Sequence, residues 1–206
     1  MGRFRDRDNT GVESSRMKIV AFHTPNYLPI VKELEKSIQR FGYDYEIVEV
    51  EDRGTWEENC GQKPEIIYDA LKRHEENLLY LDADAVIVRE LPLEELESDE
   101  MMVYIMRWKT PQTGWINELI SGCIYLPYNE TTLDVVKKWV RHQQANPMIW
   151  DQQTLGEVLN KLPNYKFKQL SPEWNWIEKY HKSLNLNPII VQNQISRVMK
   201  NDNSNK

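Results

Sequence analysis

The apolar residues in the first part of the chain follow strand and helix spacings in turn. Residues 18–22 form a short apolar run, which predicts a buried strand that breaks at residues 23–27. In residues 28–41 the apolar positions recur every three or four residues, as in an amphipathic helix that ends at Gly42: Val31, Leu34, Ile38 and Phe41. Residues 45–50 predict a second strand. Strand, helix and strand of these lengths indicate a βαβ unit, and hence a parallel sheet with helices on both faces.

The rest of the chain continues this alternation. Pro64 suits the first turn of a helix that begins at Lys63 and ends at residues 75–77, and residues 78–88 form an apolar run that predicts a buried central strand. Later strands are predicted at residues 101–106, at residues 124–126 after a break at Ser121-Gly122, and among the loops of residues 165–170 and 188–191. Later helices are predicted from Leu133, Val136, Trp139 and Val140 toward Gln143, and from an N-cap at Asp151 through Leu155, Leu159 and Leu162.

The termini differ from this pattern. Residues 1–16 are charged and nearly free of large apolar side chains, which predicts a disordered leader, and residues 201–206 predict a disordered tail. No internal repeat or linker divides the chain between them. We therefore expect one domain that spans residues 17–200.

Composition excludes several classes of protein. A net charge of −6 lacks the basic footprint of a general nucleic-acid-binding protein. The two cysteines, Cys60 and Cys123, form no CxxC motif and no Cys/His cluster, so neither a disulfide framework nor a structural zinc site is indicated. The sequence has no apolar stretch of the roughly 18 residues that a membrane helix needs, and no signal-peptide core. We expect a protein without a membrane span in the cytoplasm of a bacterium or of a virus-infected host cell.

Two carboxylates interrupt the apolar run of residues 78–88. Asp82 and Asp84 lie one residue apart, and buried aspartates almost always have a partner. In an extended segment residues i and i+2 point the same way, so both carboxylates could share a hard ion such as Mg²⁺ or Mn²⁺, which completes its shell with waters and substrate phosphates. The implied ligand is a metal-bound diphosphate. The alternative is a strand that ends in a turn, with both aspartates solvated or capping a helix.

Several short motifs follow one another in an order that characterises one family. They are Phe22-His23-Thr24-Pro25-Asn26-Tyr27, Trp56 with Lys63-Pro64, Leu79-Tyr80-Leu81-Asp82-Ala83-Asp84, Ser121-Gly122-Cys123-Ile124 and Trp150-Asp151-Gln152. In this order they resemble the nucleotide-diphospho-sugar glycosyltransferases of the GT-A fold, particularly small bacterial and viral members, over about residues 18–200. The resemblance implies a single α/β domain with a Rossmann-like mixed sheet flanked by helices. It also implies a metal-dependent glycosyltransferase that uses a sugar nucleotide, expected to be UDP-linked.

The resemblance also implies a role for each motif. The residues expected to hold the base and ribose are His23, Thr24 and Tyr27. The residues expected to bind Mn²⁺ or Mg²⁺ together with the diphosphate are Asp82 and Asp84. The residues expected at the sugar are Ser121 and Gly122, with Asp151 and Gln152 as the catalytic pair beside the anomeric carbon. Such a pair resembles that of glycogenin-like transferases, which favours retention of configuration.

Residues outside these motifs complete the expected donor site. Cleavage of the sugar–diphosphate bond builds negative charge on the leaving oxygens, and Lys63 and Arg53 are candidates to offset it. In the late segment, where the family commonly has a histidine as third protein ligand, Gln192 stands at the corresponding place. Arg197 and Lys200 are expected to close over the diphosphate. The acceptor stays open between a glycan, a lipid-linked sugar, a protein side chain and a modified nucleobase.

Other classes of protein fit part of the pattern. Residues 78–87 also resemble the motif of haloacid-dehalogenase phosphatases, but these enzymes need a late acidic pair, and the aspartates after residue 99 are isolated: Asp134, Asp151 and Asp202. A sugar-nucleotide pyrophosphorylase would need a glycine-rich loop after the first strand, and residues 17–41 contain no glycine. A non-catalytic sugar-nucleotide or glycan-binding module would share nearly all these residues, and donor hydrolysis without an acceptor would distinguish it from an enzyme.

Overall fold

The computed structural model describes residues 17–110 and 112–195. The predicted leader at residues 1–16, the predicted tail at residues 201–206, and both Arg197 and Lys200 lie outside the described residues. None of the described helices is long and apolar enough to cross a membrane.

The described strands form one large mixed sheet and one small sheet. They are β1 (Met17–His23), β2 (Tyr45–Glu49), β3 (Asn77–Leu81), β4 (Ala85–Ile87), β5 (Met102–Thr110), β6 (Gly114–Leu126), β7 (Lys168–Gln169) and β8 (Ile190–Gln192). The large sheet has the order β2-β1-β3-β6-β5-β7, and β4 pairs with β8 separately. β1 is parallel to β2 and β3, whereas β6 is antiparallel to both β3 and β5.

The helices cover both faces of the large sheet, as expected from the sequence. They are α1 (Leu28–Phe41), α2 (Trp56–Cys60), α3 (Lys63–His74), α4 (Glu130–Ala145), α5 (Asp151–Asn160) and α6 (Glu178–His181), with 3₁₀ turns at Pro25–Tyr27, Leu93–Leu96, Pro172–Asn175 and Lys182–Leu184. The bounds of α1 are those predicted, and Gly42 ends the helix with a φ of 73°, a left-handed conformation that glycine adopts without strain. The prediction of an α/β fold with a mixed sheet flanked by helices is confirmed.

Alternate side chains of β3 explain how the core is divided. Leu79 and Leu81 pack into a cluster with α1 and the small sheet, whereas Leu78 and Tyr80 pack into a second cluster with α3, α4 and α5. Both clusters are buried, because successive side chains of a strand point to opposite faces of its sheet. This is why residues 78–81 read as a continuous apolar run rather than an alternating one.

The run of residues 78–88 is not one strand, and that prediction is wrong. β3 ends at Leu81, and the backbone N–H of Ala85 donates to the carbonyl of Asp82 at 3.0 Å. This turn sends β4 out of the large sheet to pair with β8. Asp82 and Asp84 therefore follow a strand that ends in a turn, as in the alternative left open by the sequence, but they are neither simply solvated nor helix caps, because Asp82 contacts Lys63 and Asp84 accepts a hydrogen bond from Ile195.

The predicted break at Ser121-Gly122 is also wrong. Both residues lie inside β6, which runs for 13 residues and forms a long hairpin with β5. The pairing is irregular between Val103 and Tyr104, where the register shifts. Such a bulge re-aims neighbouring side chains, and here it lies beside the strand segment that carries Ser121.

Candidate active site

An open cleft lies where β1 and β3 end. This edge is the usual ligand site of open α/β sheets, because the loops that follow parallel strands converge there. The cleft brings together most of the residues predicted for the site: His23, Thr24, Tyr27, Lys63, Asp82, Asp84, Ser121, Gly122, Asp151, Gln152 and Gln192. Arg53 is not among the lining residues. Its exposed guanidinium lies 3.8 Å from Glu65.

Lys63 stands at the centre of a buried polar network. Its side chain is 3% exposed, and its Nζ lies 2.6 Å from Asp151 Oδ2, 2.9 Å from Asp82 Oδ1 and 3.0 Å from Ser121 Oγ. Burial alone would lower the pKa of Lys63, but the charges of Asp151 and Asp82 outweigh burial and raise it above the ordinary lysine value. Lys63 is therefore a protonated cation at neutral pH, held between two carboxylates.

Asp151 is the first residue of α5 and not its N-cap, so the predicted cap is wrong. Trp150 has the N-cap position, and no side chain caps this helix. The Asp151 carboxylate instead turns into the cleft, where Oδ2 accepts a hydrogen bond from Ser121 Oγ at 2.8 Å as well as contacting Lys63. A negative charge in the first turn is stabilised by the helix dipole. The position thus fits a carboxylate that holds other groups in the site.

Gln152 is oriented from two sides. Its Oε1 accepts from the backbone N–H of Ser121 at 3.3 Å, and its Nε2 donates to Glu118 Oε1 at 2.8 Å. The other oxygen of Glu118 accepts from Trp108 Nε1 at 2.9 Å. Glu118 was missed from the sequence, because it lies in the segment of β6 that was not recognised as a strand. Intermediate and exposed positions alternate along residues 114–118 in the structure, but the sequence of 114–120 does not alternate apolar and polar residues, so no sequence signal marked this strand segment.

Asp82 and Asp84 have different surroundings despite their short separation. Asp82 Oδ1 accepts from the Tyr80 hydroxyl at 3.0 Å in addition to contacting Lys63. Asp84 Oδ2 accepts a hydrogen bond from the backbone N–H of Ile195 at 2.7 Å. Burial and the nearby negative charge of Asp82 raise the pKa of Asp84 to about 6. This carboxylate therefore lies in a negative environment that a cation would relieve.

Gln192 contributes a buried oxygen atom to the same cleft. Its Nε2 donates to the carbonyl of Gly122 at 3.0 Å, and its Oε1 has no hydrogen-bond partner among the described residues. Carboxylate and amide oxygens are the ligands that Mg²⁺ and Mn²⁺ prefer. The residues thus fit a hard divalent ion, with Asp82, Asp84 and Gln192 as the donors. Within residues 17–110 and 112–195, no cluster of three His, Cys, Asp or Glu side chains offers a different metal site.

The residues predicted after β1 to bind the base also line the cleft. His23 is buried, and its Nδ1 lies 2.9 Å from the carbonyl of Thr24. Because a carbonyl only accepts, Nδ1 carries the hydrogen and Nε2 is left for another partner. Trp56 and Trp150 also line the cleft, with ring centroids 5.5 Å apart. Both belong to motifs recognised in the sequence, although neither was assigned a role.

Asn175 is a further lining residue that the sequence analysis did not single out. It is fully buried between Trp174 and Trp176, which are themselves buried. A polar residue between two tryptophans was the available signal, since such a residue is rarely buried without a function or a partner. No periodicity marks it, because the segment is a 3₁₀ turn rather than a regular strand.

Comparisons with known proteins agree with the fold. The model of the nucleotide-diphospho-sugar transferase family matches residues 19–203. Among solved structures, the chain is similar to a glycosyltransferase involved in the glycosylation of the major capsid of PBCV-1, with a TM-score of 0.68 and 15% identity. That match covers 86% of this chain and 92% of the viral protein. No curated protein sequence is a significant match.

Proposed function

Because the chain belongs to the nucleotide-diphospho-sugar transferase family and is a glycosyltransferase, we propose that it transfers the sugar of a UDP-sugar with the help of a divalent metal ion. One observation carries the proposal. Two aspartates, a buried amide oxygen and a buried lysine surround the same cleft at the ends of β1 and β3. That combination suits a metal-bound diphosphate, because it joins hard oxygen ligands to a fixed positive charge.

The nucleoside end of the donor lies against the residues that follow β1. Tyr27 stacks on the base, and His23 Nε2 and Thr24 provide polar contacts to base and ribose. A flat base gains from stacking on an aromatic ring, and the polar groups fix its orientation. The other end of the cleft is then left for the diphosphate and the sugar.

Asp82, Asp84 and Gln192 hold Mn²⁺ or Mg²⁺. The bound ion supplies positive charge that stabilises the diphosphate as it leaves. Asp84 gains most from the ion, because burial and the neighbouring charge of Asp82 disfavour its charged form. Gln192 supplies a neutral oxygen, which favours hard ions over softer ones.

Lys63, Asp151 and Gln152 act on the sugar side. Lys63 keeps its proton at neutral pH, and its fixed positive charge stabilises the oxygens that gain charge as the bond to the anomeric carbon breaks. Asp151 holds Lys63 and Ser121 in position through Oδ2. Gln152 is held by Glu118 and presents its amide beside the sugar. This preorganised arrangement needs no reorganisation when the substrate binds.

Release of UDP tests the proposal. Without an acceptor, the protein is incubated with UDP-glucose, UDP-galactose or UDP-N-acetylglucosamine, and with Mn²⁺, Mg²⁺ or a chelator. We expect slow metal-dependent release of UDP from at least one donor. Asp134→Asn serves as a control, because Asp134 pairs with Lys138 on an exposed helix face away from the cleft. Release that persists unchanged with the chelator would contradict the role of the metal.

A further inference from the structure

Asn175 is fixed in place by the residues on either side of it. The indole N–H of Trp174 donates to Glu95 at 2.8 Å, and that of Trp176 donates to Glu178 at 2.9 Å. The backbone of Trp176 bonds to β8 on both sides, donating to Ile190 and accepting from Gln192. Asn175 is 0% exposed as a result and has little freedom to turn. The direction of its amide is therefore set by the fold.

The Asn175 Oδ1 atom is buried in the cleft wall without a hydrogen-bond partner among the described residues. Exchange of the amide oxygen and nitrogen would not satisfy it, because Nδ2 lies 3.5 Å from the carbonyl oxygen of Ile120 and an oxygen there would be repelled. Buried polar atoms are nearly always bonded, since an unmade hydrogen bond costs free energy. An exception that faces a cleft points to a ligand.

The Asn175 oxygen lies beside the residues proposed to surround the sugar. A side chain at Gly122 would place its Cβ 3.2 Å from Asn175 Oδ1 and 3.0 Å from Gln192 Cδ. The two amides thus converge over Gly122, where only the absence of a side chain leaves room for them. Ser121, the preceding residue, is bonded to Asp151 and Gln152. The base-binding residues after β1 are on a different strand.

Building on the proposed function, we infer that Asn175 contacts the transferred sugar, with Oδ1 accepting a hydrogen bond from one of its hydroxyl groups. An amide oxygen accepts hydrogen bonds, and a sugar offers several hydroxyls as donors. The phosphates of the donor have none at neutral pH, and the proposed function places the hydroxyls of the ribose and the N–H of the base against the residues that follow β1. The sugar is therefore the part of the donor that Asn175 recognises.

Replacement of Asn175 by leucine separates these two parts of the donor. Asn175→Leu keeps the branching of the side chain and removes the amide oxygen and nitrogen. Calorimetric titration with Mn²⁺ present compares UDP with whichever of UDP-glucose, UDP-galactose and UDP-N-acetylglucosamine binds the wild type most tightly. We expect the variant to bind UDP as the wild type does and to bind the UDP-sugar about tenfold more weakly, as loss of one hydrogen bond implies. The melting temperature should change little, because the oxygen has no partner among the described residues and the contact of Nδ2 with the Ile120 carbonyl, at 3.5 Å, is at the limit of a hydrogen bond.

Asn77→Leu is the matched control. Asn77 lies at the opposite end of β3, and both ends of its amide are bonded, to Tyr125 and Tyr128. We expect this variant to lose thermal stability while the ratio of UDP-sugar to UDP affinity stays at the wild-type value. If Asn175→Leu is too unstable to titrate, Asn175→Ser is titrated instead, with UDP and with the same UDP-sugar.

Three results would overturn the inference in different ways. An unchanged ratio of the two affinities in the Asn175 variant would show that its oxygen does not meet the sugar, while the proposed function stands. Equal weakening of both ligands together with a lower melting temperature would make Asn175 a structural residue. A wild-type protein that binds neither UDP nor any of the three UDP-sugars would refute the proposed function itself.

Discussion

The two walls of the cleft differ in how their polar groups are satisfied. The wall that we call the paired wall consists of Lys63, Ser121, Asp151, Gln152 and Glu118, which bond to one another or to neighbouring protein groups. The wall that we call the open wall consists of Asp84, Asn175 and Gln192. There two amide oxygens have no partner among the described residues, and one carboxylate has a raised pKa.

Because of this difference, the two walls are suited to different tasks in binding and reaction. The paired wall is complete before any ligand binds, so it can present a fixed charge and fixed donors to the reacting sugar. The open wall is energetically incomplete, because buried oxygens and an uncompensated carboxylate cost free energy until a cation or a hydroxyl meets them. Substitutions should therefore destabilise the protein in the paired wall and weaken ligand binding in the open wall.

Removal of the lysine from the paired wall should have the largest effect. Lys63→Met keeps much of the side-chain stem but leaves Asp82 and Asp151 without their cation. Breaking a buried ion pair in this way costs about 3–5 kcal/mol in the free energy of unfolding. Urea denaturation measures this cost, and UDP release should be lost in the same variant.

Lys36→Met is the control for that substitution. Lys36 pairs with Glu33 at 2.6 Å, but both side chains are exposed, so the loss should be about 0.5 kcal/mol or less. A Lys63 variant that is as stable as the Lys36 variant would remove the distinction between the two walls.

Glu118→Gln should disturb the paired wall more mildly. Glu118 accepts from both Gln152 and Trp108, and a glutamine has only one amide oxygen for two donors. We expect kcat to fall about tenfold as Gln152 loses its orientation, while KM for the donor stays unchanged. Glu95→Gln is the control. Glu95 accepts from one donor, the indole N–H of Trp174, and a glutamine oxygen can still accept this bond, so kcat should stay at the wild-type value. A change in KM alone would argue against an orienting role for Glu118.

Gln192→His probes the open wall. A histidine at this position should tighten Mn²⁺ binding by a few-fold with UDP present, because imidazole is a stronger ligand for Mn²⁺ than a neutral amide oxygen. Metal titration followed by calorimetry measures the change, and Gln169→His on the exposed strand β7 is the control. Unchanged Mn²⁺ affinity would remove Gln192 from the metal ligands and leave the two aspartates.

The smallest effect is expected behind the open wall, at His181. Its Nδ1 accepts from the backbone N–H of Ile177, a cleft-lining residue, and Tyr104 lies 2.9 Å from its Nε2. Burial lowers the pKa of His181, so the folded protein disfavours its charged form. Its contribution to stability is therefore present above the ordinary histidine pKa of about 6.5 and is lost as the pH falls below it.

A comparison of unfolding free energies at pH 7.5 and pH 5 checks this sign. His181→Asn keeps an acceptor for Ile177 and removes the titration, so it should lose less stability on acidification than the wild type does. The control is His142→Asn, at a histidine that contacts Glu157 nearer the surface. Because this variant keeps His181, it should still lose the stability that the wild type loses through His181 on acidification. Identical acid sensitivity in the His181 variant and the wild type would contradict the prediction.

The parts of the fold that could be predicted are those fixed by local patterns. The strand–helix–strand unit of residues 17–50 follows from apolar spacing and from Gly42, which are properties of neighbouring residues. The departure of β4 from the large sheet could not be predicted in this way. It depends on pairing with β8, about a hundred residues later, whereas residues 78–88 are apolar apart from Asp82 and Asp84 and read as one strand.

In the candidate site, too, local patterns could be predicted and contacts between distant residues could not. The lining residues were found because they belong to short motifs, yet the pairing of Lys63 with Asp151 joins residues that are far apart in sequence. From sequence alone, an aspartate at a helix start is interpreted as an N-cap. The contact with Lys63, which turns the Asp151 carboxylate into the cleft, is visible only in the folded structure. Asn175 was missed because what distinguishes it is a buried amide oxygen without a partner among the described residues, and a sequence does not show which polar atoms are buried or unpartnered.

The most direct test of the account is calorimetric titration of a UDP-sugar into wild-type protein and Asp84→Asn, each with Mn²⁺ and with a chelator. We predict that wild-type binding depends on the metal and that the variant binds at least about 100-fold more weakly with Mn²⁺, because it lacks a charged metal ligand. Its melting temperature should match the wild type, since an asparagine oxygen can still accept from Ile195 N–H. Equal affinity of both proteins in the presence of Mn²⁺ would contradict the central claim that this cleft holds a metal-bound sugar nucleotide.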